Sequence, residues 1–202
     1  MAMETASVQN YSALQRGLLR VHAMLSLAAQ VIAYLAAVGL VLMIGHILLE
    51  IALRNFFDRS THVLDEFVGY ATAAVTFNTL GYAFERGVLI RVNFVLNAYA
   101  DNIRITKLLE NAATVLTLMV VGLAGYHFFG SVVRSYRRGA VSETVAEVPM
   151  WIPETLMLFG LLVFWALLLA RFLCSVSGVS MREIRQNVAA DLISFNTKGA
   201  KG

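Results

Sequence analysis

The chain reads as an all-α membrane protein with four transmembrane helices. Its composition, four uncharged runs and the placement of Lys and Arg predict this. It has 202 residues, 58% hydrophobic and 14% charged, with a mean hydropathy of +0.69; an ordinary globular domain is about 25% charged. Residues 21–49, 67–84, 111–133 and 155–170 carry no Asp, Glu, Lys or Arg. A helix that crosses the hydrocarbon core needs ~20 mostly apolar residues. The first three runs supply these directly. Trp151 and Ile152 extend the fourth on one side; on the other Arg171 can snorkel while Phe172 and Leu173 stay apolar. The predicted spans are about 23–49, 65–85, 111–133 and 152–173.

Orientation follows from the basic residues. Eleven of the sixteen Lys and Arg fall in the two tails and the second loop, against five in the first and third loops. The positive-inside rule places both termini and the second loop in the cytoplasm. The net charge of +3 therefore expresses topology and makes no case for nucleic acid. The single cysteine, Cys174, allows no internal disulfide. The first span is too long for a signal-peptide core and reads as a retained anchor.

The first run would measure about 43 Å as a helix against ~30 Å of hydrocarbon, so it must tilt or project. Ala29, Ala33 and Ala37 recur along it at four-residue spacing, with Gly45 beyond. Such a small-residue seam lets another helix approach closely. Gly69, Ala73 and Gly81 repeat the idea in the second helix. Within the cytoplasmic loop, Asn93, Asn97, Asp101 and Arg104 share one face of an otherwise apolar segment. They predict an amphipathic interfacial helix over about 88–104. A cytoplasmic tail follows over 180–202.

Chemistry is sparse. No Asp, Glu, Lys or Arg falls inside a run, and no proline breaks one, so the pattern offers no midplane site of the kind a transporter or pump keeps. Nothing resembles a P-loop, a paired-cysteine motif or a nucleophile elbow, so the chain is not expected to be an enzyme, nor to hold a cofactor or metal. Thr72, Thr76, Asn78 and Thr79 read as interhelical hydrogen-bonding groups. At the outer side Glu50 and Arg54 can pair at i,i+4, and Asp65 and Glu66 open the second helix where its dipole favours acid. Pro149 and Pro153 flank Trp151 at the start of the last helix, with Glu154 in its first turn. Proline is tolerated there and tryptophan anchors at headgroup level, so the stretch fixes the depth at which the chain returns to the bilayer. Two other readings stay open on the residues alone. One is a haem-bearing electron carrier clamped by His46 and His127; the other is an assembly subunit of some different membrane complex.

Three stretches, in order, resemble the small membrane subunit of TRAP (tripartite ATP-independent periplasmic) transporters, the DctQ family. They are LRNFFDRSTHVLDE, with an arginine after the first helix and an acidic pair opening the second; NTLGYAFERGVLIRVNFV; and VPMWIPETLMLFG. The resemblance covers about residues 20–175. Leu89 and Asn93 stand where the family usually has histidine and aspartate, and Val63 and Leu64 where a tryptophan often precedes the acidic pair.

The resemblance implies a bacterial inner-membrane, multi-pass protein with no substrate site of its own. Its partners would be a large sodium-coupled transport subunit, a periplasmic substrate-binding protein that delivers organic acids, and the phospholipid bilayer. Arg54, Asp65, Glu66, Pro149, Trp151, Pro153, Ala29, Ala33, Ala37 and Gly81 are the expected partner-contact or structural residues.

Overall fold

The computed structural model describes residues 13–58, 60, 63–86 and 103–177. The interfacial helix expected over 88–104, apart from its last two residues, and the tail over 180–202 lie outside them. Four helices make up the described chain: α1 (Ala13–Phe57), α2 (Leu64–Glu85), α3 (Ile103–Arg138) and α4 (Trp151–Val176). No strand occurs among the described residues; the nearest thing to one is a single antiparallel bridge between Val141 and Pro149.

Several helices outrun the spans predicted for them. Charge sets where hydrocarbon ends, but a helix continues into headgroups and water as long as its backbone bonds are made. α1 thus takes in Arg16, Arg20, Glu50 and Arg54 and reaches 45 residues, about 68 Å. α3 likewise begins ahead of its uncharged run. Three helices, α1, α3 and α4, are long and apolar enough to cross a membrane. The sequence predicts four. With 22 residues α2 has the length, but Thr72, Thr76, Asn78 and Thr79 dilute its apolar run.

Helix ends are set by local chemistry. Asp65 and Glu66 occupy the first turn of α2, whose preceding residue, Val63, offers no side-chain cap. Carboxylates there answer the exposed N–H groups through the helix dipole. α2 stops at Arg86, whose guanidinium lies 5.2 Å from the centroid of the Tyr82 ring, a cation–π distance. α3 closes with both bonds of a Schellman motif: Gly139 N–H donates to Tyr136 C=O (3.2 Å) and Ala140 N–H to Ser135 C=O (3.0 Å). Gly139 takes φ +59°, which glycine adopts without a Cβ penalty.

Packing separates the chain into two compact units. One gathers α1 as far as Ala28, α3 as far as Leu116, and α4 from Ala166. Its core holds Leu167, Leu168 and Cys174, all essentially inaccessible, with buried His22, Ser26 and Arg171. Polar ties join its helices: Gln15 Nε2 donates to Ser177 C=O (2.8 Å), and Ser175 Oγ to Asn111 Oδ1 (2.7 Å).

The other unit holds α2 with the remaining parts of α1, α3 and α4. Leu158, Leu161 and Phe164 of α4 are buried in it. Edge-to-face ring pairs join Phe84 to Phe164 (5.6 Å) and Phe77 to Phe128 (5.5 Å). The Trp165 indole donates to Leu118 C=O at 3.2 Å, lying against Gly122, where a Cβ would come within 3.1 Å of Nε1.

Closest of all is the crossing of α2 and α4. A Cβ on Gly160 would stand 2.6 Å from Phe77 C and O and 2.7 Å from Asn78 N. The backbones meet there because Gly160 has no side chain. This allows Asn78 Nδ2 to donate to Leu156 C=O (3.1 Å) as well as to Ala74 C=O in its own helix (2.8 Å).

The residues that α1 buries are small or polar, and many of its large apolar ones are exposed. His22, Ser26, Ala29, Ala36 and Glu50 are buried, at spacings of three, four and multiples of seven. Met24, Leu35, Val41, Leu42 and Leu48 are well exposed. A water-soluble helix does the reverse.

Candidate functional site

Polar chemistry in the second unit collects at two places, the C-terminal end of α1 and the junction of α2 with the α3–α4 connection. At the first, Arg54 Nε donates to Glu50 Oε1 at 2.9 Å across one helical turn. The Glu50 side chain is 2% exposed and that of Arg54 57%, so a buried carboxylate is reached by a guanidinium from the solvent side. Ser60 Oγ also donates to Glu50 Oε1 and accepts from Arg54 Nη2 (3.2 Å). The i,i+4 pair is the one predicted from sequence; Ser60, beyond the helix, completes it. Asp58 makes the turn between them in the left-handed region (φ 48°), which Asp tolerates better than most residues.

At the second place, Tyr70 Oη donates to Glu66 Oε1 at 2.7 Å, and Thr144 Oγ1 donates to Glu66 Oε2. Ser142 and Thr144 share a hydroxyl contact at 3.1 Å. Tyr70 Oη also lies 3.2 Å from Met150 Sδ. Glu66 thus fastens the α3–α4 connection to the start of α2. That connection is a hairpin: Ser142 N–H donates to Val148 C=O (2.9 Å) and Met150 N–H to Ala140 C=O (3.0 Å). These bonds bracket the Val141–Pro149 pair, which makes none itself. The N–H that proline lacks would point away from the partner strand, so the ladder loses nothing.

Pro153 is buried in the first turn of α4, where its missing N–H is one a helix start leaves unpaired anyway. Trp151 meets Tyr136 edge-on at 5.8 Å, joining the start of α4 to the end of α3. Glu154 Oε1 accepts from Ser131 Oγ at 3.0 Å, tying the same two helices.

The other predicted residues are placed as follows. Asp65 is exposed while its neighbour Glu66 is half-buried. Ala29 is buried, Ala33 intermediate and Ala37 exposed, so the inner stripe follows Ala29 and Ala36 at a seven-residue repeat rather than the four-residue seam. Gly81 is buried; Gly45 and Gly69 face open space. His46 lies edge-on to Phe67 (6.2 Å), whereas His127 is exposed beside Tyr126 (5.8 Å). The two imidazoles therefore have separate aromatic neighbours. Among the described residues no three His, Cys, Asp or Glu side chains gather as metal ligands.

Tyr70, Ser142, Thr144, Met150 and Gly160 were not legible as site residues. Tyr70 alone carried a signal, its i,i+4 spacing from Glu66. Of the four polar residues read as interhelical, Asn78 and Thr72 bond between helices, the latter to Met43 Sδ (3.5 Å), while Thr76 and Thr79 bond back to Thr72 C=O and Val75 C=O (2.8 Å each). Asn78→Val is accordingly expected to destabilise the packed helices by about 0.6–1.7 kcal/mol. Thr76→Val should cost less, and denaturant titration of both variants in micelles checks the order.

With three helices long and apolar enough to span a bilayer, and polar groups that tie helices and rims together, the described fold is that of a helical membrane protein. A profile of the family described as "Tripartite ATP-independent periplasmic transporters, DctQ component" matches residues 43–178. That is more than half of the chain, which belongs to this family: it is the small subunit of a TRAP transporter. No protein of curated function and no solved structure matches it.

Proposed function

We propose that the chain is the non-catalytic scaffold of a sodium-coupled TRAP transporter for organic acids, held in the bacterial inner membrane by four spans with both termini in the cytoplasm. It braces the large transport subunit and offers its outer loops to the periplasmic substrate-binding protein. The observation that carries this reading is the surface of α1. Every described buried residue of this 45-residue helix is small or polar (His22, Ser26, Ala29, Ala36, Glu50), and many of its Leu, Val and Met side chains are exposed, which suits lipid and a second membrane subunit. α2 supports its place as the fourth span. Its 22 residues reach about 33 Å, and Thr76, Asn78 and Thr79 have bonded their polar groups within the protein, so hydrocarbon does not penalise them.

The test is extraction of the C-terminally tagged chain from its native membrane in mild detergent, with mass spectrometry of what remains bound. A stoichiometric large hydrophobic transport subunit is the expected result. A chain free of that subunit, above all one with a Soret band, would overturn the scaffold reading.

A further inference from the structure

One exposed face of α3 changes chemistry along its length. Met119, Val120 and Leu123 lie exposed on its apolar stretch. The same face then reaches Arg134, Arg137 and Arg138, the last two in the final turn of the helix. Leu123 and Arg134 are eleven residues apart, a step of three whole turns that keeps them on one side. Their separation along the axis is about 16 Å, close to half of a hydrocarbon core ~30 Å thick.

Two observations put the guanidiniums at headgroup depth. α3 is fit to span a bilayer, and Arg134 is the first charged residue after its uncharged run over 111–133. Away from Arg134, Tyr136 meets Trp151 edge-on at 5.8 Å, and such rings settle at the membrane–water interface. Phosphodiesters lie at that depth in both leaflets, whichever way the helix runs.

Arg134 folds back along the helix. Its Nη1 lies 3.2 Å, and its Cζ 4.0 Å, from the point a Cβ on Gly130 would occupy, and no other side chain comes within 4 Å of that point. The guanidinium thus fills the space of the absent side chain, one turn towards the apolar stretch. Arg134, Arg137 and Arg138 are all exposed, and none has an ion pair or hydrogen bond among the described residues. The helix dipole favours cations in the last turn, which accounts for Arg137 and Arg138. It does not account for a guanidinium turned back towards hydrocarbon, where a charge is costly without a counter-ion.

We propose that this face binds an anionic phospholipid: the three guanidiniums hold its phosphodiester, and an acyl chain lies along Val120 and Leu123. A guanidinium offers phosphate two parallel N–H donors, and residues three and four apart on a helix are near enough to share one anion. The apolar track selects a lipid over free phosphate, which has nothing to place there. A neighbouring membrane subunit would have to bring carboxylates to the edge of hydrocarbon, whereas each leaflet already carries phosphates.

The experiment incubates the intact transporter, in detergent, with equal amounts of phosphatidylglycerol and phosphatidylcholine of the same chain length, and reads retained lipid by native mass spectrometry. Preferential retention of phosphatidylglycerol is expected. Arg134→Gln should lower the preference about fivefold, and Lys198→Gln, which removes the same charge from the tail, should leave it unchanged. Arg134→Lys keeps the charge but not the fork, and should fall between. Gly130→Leu keeps all three charges, fills the space Arg134 occupies, and should lower the preference too. Equal retention of the two lipids, or a preference untouched by Arg134→Gln and Gly130→Leu, would overturn the site. Displacement of the lipid by excess inorganic phosphate would reduce it to a simple anion site and overturn the lipid assignment. In native membranes a photo-crosslinking amino acid at position 123 is expected to label phospholipid; capture of the large subunit there instead would also overturn it.

Discussion

Gly160→Ala is expected to destabilise the subunit by about 1–3 kcal/mol, the usual cost of forcing a methyl into a packed interior, and Gly160→Val to leave almost none folded. The added carbon would meet backbone atoms of Phe77 and Asn78 at 2.6–2.7 Å. Backbone cannot swing aside as a flexible side-chain tip can, so α2 and α4 must separate along their length. That separation would also lengthen the Asn78 bond to Leu156 C=O. Gly69→Ala is the control: nothing lies within 4 Å of the added carbon, and alanine is the better helix former by about 1 kcal/mol. Thermal unfolding in one detergent should place Gly69→Ala at or above the parent and Gly160→Ala well below it. Equal midpoints would mean that the close crossing of α2 and α4 is not a determinant of the fold.

Arg54→Glu is expected to abolish most substrate uptake by the reconstituted transporter, while Lys198→Glu, the same reversal in the C-terminal tail, leaves it nearly intact. Glu50 is buried and takes a charged hydrogen bond from Arg54. A hydrogen bond to a charged group contributes about 1.5–3 kcal/mol, and its loss leaves Glu50 with the neutral Ser60 hydroxyl in place of a guanidinium. Placing a second carboxylate one turn away adds repulsion. Arg54→Met, which removes the charge without reversing it, should fall between. Uptake assays on the three variants at matched complex yield decide the matter. Equal effects of Arg54→Glu and Lys198→Glu would remove the α1 rim from the functional account.

Features governed by local spacing were legible in the sequence. Uncharged runs located the four helices, and i,i+4 arithmetic found the Glu50–Arg54 pair. The acidic opening of α2 and the prolines at the start of α4 follow from rules that act within one helical turn. Helix length was read short because charge marks the edge of hydrocarbon, not the end of hydrogen bonding; α1 continues through Arg16 and Arg20. Contacts between distant segments left little trace. Glu66 and Thr144 are 78 positions apart, and neither residue type announces the other. Gly160 lies in an apolar run with no small neighbour at four-residue spacing on either side, so the spacing that flagged Gly81 passed over the close crossing of α2 and α4. Within the chain itself only the start of the alanine seam is covered: Ala29 is buried, Ala33 intermediate and Ala37 exposed. Four-residue spacing drifts around a 3.6-residue helix, whereas the Ala29–Ala36 step of seven stays on one face.

The inverted surface of α1 changes what conservative substitution means along its length. In a water-soluble domain, exchanging one bulky aliphatic residue for another is a delicate matter and surface positions are free. Where Leu35, Val41 and Leu42 meet lipid they need only dissolve in oil, so Leu, Ile, Met and Phe are near equivalents at such positions. Ala29 has no such latitude: it is 1% exposed, and even one methylene more must displace a neighbour. The chemical information in this helix resides in its buried small and polar side chains, and an engineer grafting it elsewhere should copy His22, Ser26, Ala29, Ala36 and Glu50 before any of its leucines.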